Sequence, residues 1–383
     1  MRYRLKDIFD LQMGKTPARQ NMKYWDKSDC KWISIADLSR SEKYILNTKE
    51  KISDIAVKET RIRVIPANTV VMSFKLSIGK VAITADNMYS NEAIMAFNDK
   101  HVVEMLPEYI FYMFKYMRWE SGSNNAVMGK TLNKATISDI EVDICTIKKQ
   151  QEIIAILDKM DNILSNKYRE IYLLDELVKA RFVEMFGDLR DNGKGWEIKT
   201  LDELSYLITD GEHITPRRTT DGIYLLSARN ILNHSLRLDD VDYIDQEEYA
   251  RIAKRVVPKK GDVLISCSGT VGRCCSVPAG IKFQMVRSVA LIRFKEEINP
   301  VFAEYMITSD YLQAQINGSK TASSQSNLFQ GKIRALKGFA PPIELQIQFL
   351  QFVQQIAKSK AVIEKSLKEL ETLQASLMQK YFS

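Results

Sequence analysis

The chain has 383 residues, 45% of them hydrophobic and 27% charged, which amounts to roughly two domains of about 100–200 residues and excludes wholesale disorder. Lys plus Arg number 55 against 48 Asp plus Glu, and the net charge of +7, far below that of a histone-like chain, is compatible with a nucleic-acid binder and equally with an ordinary basic cytosolic protein. No apolar run approaches the roughly 18–20 residues of a membrane helix, and Met1-Arg2-Tyr3-Arg4-Leu5 does not open a secretory signal. The five cysteines are odd in number, Cys274 and Cys275 are adjacent, and no Cys-x-x-Cys pair is present. A reduced, cytoplasmic protein without a metal site is therefore expected.

Taken in order, the elements repeat. Leu5-Lys6-Asp7-Ile8 leads through Gly14 to Thr16-Pro17, and Leu201-Asp202-Glu203-Leu204 leads through Gly211 to Thr215-Pro216. The run Trp32 to Leu38 has a counterpart in Tyr224 to Ile231. Short strands are predicted at Val70–Ser73 and Val263–Ser266, each preceded by an apolar-Pro pair and followed by a turn ending in Gly79-Lys80 or Gly272-Arg273. The last third of each half aligns without gaps at one offset. Leu132 and Leu328, Leu174 and Leu370, and Phe186 and Phe382 all lie 196 residues apart (328 less 132). The chain is an internal duplication.

Each half ends in one long predicted helix. In the first, Ile153, Leu157, Met160, Leu164, Ile171, Leu174 and Val178 form the apolar stripe, and in the second Phe349, Ile356, Ile363, Leu370 and Leu377 recur at period seven. Such spacing predicts a coiled-coil seam. Neither stripe can face water, so the two helices are expected to pair about an approximate two-fold axis. The boundaries fall at 1–146 for the first front module, 147–187 for the central helix and 188–195 for a polar, Gly-containing linker. The second front module takes 196–342 and the C-terminal helix 343–383. The predicted class is α+β, two mixed modules with two long helices.

Catalytic signatures are missing. Gly129-Lys130-Thr131 has the ending of a phosphate-binding loop, but Asn124 stands where its first glycine belongs. Ser266 and Ser268 lack the preceding glycine of a nucleophile elbow, and three scattered histidines do not make a triad. No Asp- or Asn-Pro-Pro-aromatic tetrapeptide of an amino-methyltransferase is present, since Pro341-Pro342 follows Ala340. A non-catalytic protein is expected.

The residues instead suit either DNA contact or a plain solvated turn, with contact favoured at the Arg217-Arg218 pair. Each front module carries a basic loop around its Thr-Pro, with Lys15, Thr16 and Arg19 in the first and Thr215, Arg217 and Arg218 in the second. Ser34, Lys75, Lys80 and Lys130 in the first half, and Arg229, Asn230, Ser268, Arg273 and Lys320 in the second, complete the candidate DNA-binding set. Hydroxyls suit phosphate oxygens, and Arg or Lys reach phosphates or guanine edges. Trp32 and Tyr224, on apolar runs, are expected in the core.

On these residues, from the Gly…Thr-Pro start and the Trp32–Leu38 and Ser73…Gly79-Lys80 segments to Leu328, Pro341-Pro342, Glu344 and Gln346 and the Phe186 and Phe382 helix ends, the chain resembles the specificity subunit of a type I DNA restriction-modification enzyme. The resemblance covers essentially the whole chain and rests on order and duplication more than on any one motif. It departs at Cys145-Thr146, where the second copy has Pro341-Pro342. It implies two target-recognition domains and two helices pairing antiparallel, the helices acting as ruler and docking site. It also implies two adenine-N6 methyltransferase subunits as partners and, in restricting systems, ATP-dependent translocase-nuclease subunits. S-adenosylmethionine, ATP and Mg would then bind the partners, leaving this chain without a cofactor. The residues alone leave open a fused or stand-alone DNA-modifying enzyme and a coiled-coil scaffold with no DNA role.

Overall fold

Two strands 196 residues apart from two others register the duplication in three dimensions. Arg2–Arg4 pairs antiparallel with Glu141–Asp143, Arg2 opposite Asp143, and Ile198–Thr200 pairs in the same way with Lys337–Phe339, Ile198 opposite Phe339. Each two-stranded tie joins the start of a module to the segment just before its long helix. The computed structural model describes residues 1–25, 29–75, 77–117, 119, 132–318 and 327–382. It divides into two units, one of residues 1–168 and 365–383 and the other of residues 169–364.

In the first unit a five-stranded sheet runs in the order Phe9–Met13, Ile94–Asp99, Val70–Ser73, Val81–Thr84, Tyr44–Ile45. A three-stranded sheet has Cys30–Ile33 between Glu50–Ile52 and Tyr89–Ser90. In the second, a four-stranded sheet runs Ser205–Asp210, Val289–Phe294, Val263–Ser266, Cys274–Ser276, and Ile223–Leu226 lies between Asp242–Ile244 and Phe283–Met285. In both small sheets the central strand is antiparallel to one neighbour and parallel to the other. The predicted strands Val70–Ser73 and Val263–Ser266 are central and fully buried, as β-branched runs bounded by turns should be. The first unit's edge strand Tyr44–Ile45 pairs parallel with Val81–Thr84, whereas in the second unit Ile231–Leu232 and Ser235–Leu236 form a hairpin of their own.

The long helices run Ile147–Phe186 and Ile343–Phe382. Within the first unit Asp161 accepts from Gln374 at 2.7 Å and Tyr168 donates to Glu371. Within the second, Lys360 bonds Asp175 at 2.7 Å, and Phe182 packs edge-on against Phe349 at 5.4 Å. Rising numbers on one helix meet falling numbers on the other, so the pairing is antiparallel. Ile153, Leu157, Met160, Leu164, Val178, Phe349 and Ile356 are buried, whereas Ile171, Leu174, Ile363, Leu370 and Leu377 are half-buried. Phe182, Phe186, Leu367 and Met378, off the strict heptad, are buried in addition. An α-helix drifts about 20° per heptad against a 3.5-residue repeat, so over 40 residues the buried stripe walks off the sevens. Its ends also serve the modules. Phe382 lies 5.5 Å from Tyr109 in the first unit, and Phe186 lies 4.8 Å from Phe302 in the second, each partner two residues beyond a proline that opens a short helix.

One buried glutamine fixes the root of each helix. Gln150 accepts from the Leu106 amide at 2.9 Å and donates to the Glu104 and Cys145 carbonyls, both at 2.9 Å. Gln346 accepts from the Asn299 amide at 2.7 Å and donates to the Glu297 and Pro341 carbonyls at 2.8 and 2.7 Å. Cys145 and Pro341 thus occupy the same turn despite the sequence change between the copies. Among the described residues no helix is long and apolar enough to cross a membrane.

Candidate nucleic-acid interface

The Thr-Pro loop is positioned by a glycine where the two sheets of a module meet. A Cβ on Gly14 would stand 2.2 Å from the Ser90 and Asn91 carbonyl oxygens, and one on Gly211 would stand 2.3 Å from that of Met285. Only glycine permits so close a backbone approach. The next residue then bonds the small sheet, Lys15 N–H to Ser90 O and Glu212 N–H to Met285 O, both at 2.8 Å. Beyond it Pro17 and Pro216 are buried, and the second residue after each proline is an arginine, Arg19 or Arg218.

Each arginine reaches the equivalent position in its own module. Arg19 forms a two-pronged pair with Glu50, Nη2 to Oε2 at 3.0 Å, and Glu50 lies opposite Trp32 in the small sheet. Arg218 Nε bonds Asp242 at 2.9 Å, and Asp242 lies opposite Leu225. Trp32 and Leu225 each precede by two residues a serine, Ser34 or Ser227, that starts a short helical turn. The surroundings differ. Arg19 lies over the Trp25 ring at 4.0 Å and the Trp32 ring at 4.9 Å, while Asp242 receives a second arginine, Arg229, at 2.9 Å. Trp32 itself is buried, as expected, and Tyr224 is half-buried against Tyr243.

The other candidates fall into three groups. Thr16 bonds Glu92, which Lys75 and Arg19 also approach. The hydroxyl bond, opposed by burial and aided by these cations, holds the Glu92 carboxyl below the usual range. Lys15 turns to the Thr60 carbonyl at 2.8 Å, and Lys80 reaches Ser39 on the turn that Ser34 begins. Thr215 and Arg217 are exposed, Arg217 pairing with Glu247 at 2.9 Å. Ser268 and Arg273 are half-buried on the turn after the central strand. A second group serves the fold. Ser34 bonds Asp37, and fully buried Asn230 accepts from Ser227 and donates to the Arg237 and Asp240 carbonyls at 3.0 and 2.8 Å. With those bonds in place the Asn230 side chain is occupied inside the module and positions the loop that bears Arg229. The third group, Lys130 and Lys320, lies outside the described residues.

The turn after each central strand is built alike. The Ser73 and Ser266 hydroxyls, both fully buried, accept the Lys80 and Arg273 amides at 3.1 and 3.0 Å, and Gly79 and Gly272 take φ of +83° and +89°. The backbone therefore delivers Lys80 and Arg273 to the same end of the module. What the sequence did not disclose were the carboxylates that hold the arginines, 31 and 24 residues downstream (50 less 19, 242 less 218). Their signal is present only when the two copies are aligned through the sheet register.

The family model described as the type I restriction modification DNA specificity domain matches the chain twice, over residues 1–172 and 193–372, and the chain belongs to that family. It is similar to the type I restriction enzyme MjaIX specificity subunit of Methanocaldococcus jannaschii, 27% identical over 220 residues covering 52% of this chain and 50% of that protein. It is also similar to the type I restriction enzyme EcoR124I/EcoR124II specificity subunit of Escherichia coli, 24% identical over 185 residues, covering 46% and 44%. The chain thus spans about half the length of the curated relatives it matches. Among solved structures, the S subunit of a type I restriction-modification system from M. genitalium aligns over 100% of this chain and 96% of its own, with 14% identity and a TM-score of 0.52. A chain from a type I R-M system solved for its complex assembly and conformational transition aligns over 99% and 96%, with 15% identity and a TM-score of 0.62. The fold is shared across that sequence distance.

Proposed function

We propose that this chain is the DNA sequence-recognition subunit of a type I restriction-modification complex, non-catalytic itself and reading an asymmetric, bipartite target. The observation that carries the reading is the duplicated Thr-Pro loop, built on one backbone plan in both units and furnished with different side chains. Shared geometry provides two equivalent readers, while Trp25 on one side and Arg217 and Arg229 on the other provide different chemistry. Half-sites read by unlike side chains differ in sequence, and DNA between them goes unread.

The antiparallel helix pair is the ruler and the docking site. Each helix has 40 residues, about 60 Å at 1.5 Å per residue. Its partners are two adenine-N6 methyltransferase subunits and, where the system restricts, ATP-dependent restriction subunits. S-adenosylmethionine, ATP and Mg act on those subunits. The setting is the cytoplasm. Internal ion pairing of the candidate arginines fits a subunit that binds DNA weakly alone and gains affinity when its partners enclose the duplex. The test is methylome sequencing of a host expressing this chain with a cognate methyltransferase. The reading expects N6-methyladenine in two unlike half-sites at fixed separation, and a lone chain that methylates DNA by itself would overturn it.

A further inference from the structure

The duplication offers a comparison inside one molecule. Two modules that read different half-sites share whatever both must do, and differ in what tells their targets apart. At the Thr-Pro loop the shared feature is an arginine two residues past a buried proline, paired with a carboxylate at the same register position of the small sheet. The unshared features are the Trp25 ring beneath Arg19 and the second arginine, Arg229, on Asp242.

We propose that Arg19 and Arg218 are the sequence-independent backbone clamps of the two modules, and that Glu50 and Asp242 hold them in reserve until DNA arrives. This rests on the DNA-recognition reading above and adds to it a division of labour. An arginine fork that fits a carboxylate fits a phosphate in the same planar geometry, so one can replace the other without rebuilding the loop. The pairs are accessible for that exchange, with side-chain exposures of 52% and 36% for Arg19 and Glu50, and 48% and 30% for Arg218 and Asp242. Exposed ion pairs contribute little stability and open readily. A phosphate carries no base identity, which is why both modules can keep the same contact while their targets differ. The carboxylate has its own purpose. It neutralises the arginine in the free protein and penalises DNA that does not dock closely enough to draw the arginine away.

The experiment uses the full chain assembled with its methyltransferase subunits. Binding is measured by fluorescence anisotropy on target and unrelated duplexes across a salt series, with the methylated motif read by sequencing. Arg19→Ala and Arg218→Ala should each weaken binding to target DNA several-fold and flatten the log–log salt dependence by about 1, leaving the motif unchanged. Glu50→Gln and Asp242→Asn should do the reverse on unrelated DNA, raising affinity several-fold, a gain that misfolding cannot mimic. Asp242→Asn should have the larger effect because it releases Arg218 and also loosens Arg229, which keeps only Asp240 at 3.7 Å. A motif altered at one base by an arginine variant would make that residue a reader and overturn the clamp. Unchanged affinity and salt slope in the arginine variants would reduce the pairs to structural contacts and overturn it too. A wild-type complex that binds no DNA would instead overturn the recognition reading on which the clamp rests.

Discussion

Replacing Gln346 by Met keeps length and flexibility while removing a donor and an acceptor from a fully buried position. Three partners lose their bond: the Asn299 amide, the Glu297 carbonyl and the Pro341 carbonyl. The bond to Pro341 is buried and the other two are partly buried. A buried group left unsatisfied costs about 1–3 kcal/mol, and a partly solvated bond about 0.5–1.5 kcal/mol. The sum is about 4 kcal/mol, a large share of the roughly 5–15 kcal/mol that holds a domain folded. With a urea slope of about 2–3 kcal/mol/M for a unit of this size, the unfolding midpoint should fall by about 1.5 M. Gln150→Met should cost somewhat less, about 3 kcal/mol, because its three equivalent bonds, at 2.9 Å each, are all partly buried. Urea titrations followed by circular dichroism would measure both. Midpoints within about 0.3 M of the wild type, or a loss in one variant and none in the other, would refute the reasoning that one glutamine roots each helix in its module.

Gly14→Ala places a methyl 2.2 Å from two backbone oxygens, so the sheets must part; a loss of about 3 kcal/mol is expected in thermal or urea unfolding, with Gly211→Ala matching it. Inserting one heptad into each long helix adds about 10 Å, or about three base pairs at 3.4 Å each; methylome sequencing should show a longer unread spacer with unchanged half-sites. Stability should fall as pH rises above about 9. Burial pushes the Cys267 and Cys275 thiols up to about 12 and Cys274 well above its ordinary value, so the fold keeps protons that the unfolded chain releases. Their contribution is complete below the unfolded thiol's pKa and is lost as pH climbs toward the folded one. Thermal unfolding from pH 8 to 10.5 should show a falling midpoint, and Cys274→Ala should make that fall shallower.

The duplication was legible because its back third keeps one offset, and Phe186 with Phe382, or Arg2 opposite Asp143 with Ile198 opposite Phe339, obey it in the fold. The helix spans were legible from periodicity, which however points to Ile363 and Leu370 where Leu367 is the more buried, because helical drift moves the seam. Part of the candidate site's construction was legible. Basic residues beside a Thr-Pro marked the loop, but their carboxylates arrive from strands far along the chain, and only the sheet register discloses them. Asn230 reads on sequence as a polar group next to an arginine. Its burial depends on a turn closed by Arg237 and Asp240, which pattern alone does not predict.

The central claim is that two equivalent modules read two different half-sites independently. Exchanging residues 1–146 for the corresponding segment of a relative, and sequencing the methylome of a host that expresses the hybrid with the methyltransferase, tests it most directly. One half-site should change while the other half-site and the spacer remain. Alteration of both half-sites, or of neither, would contradict the account.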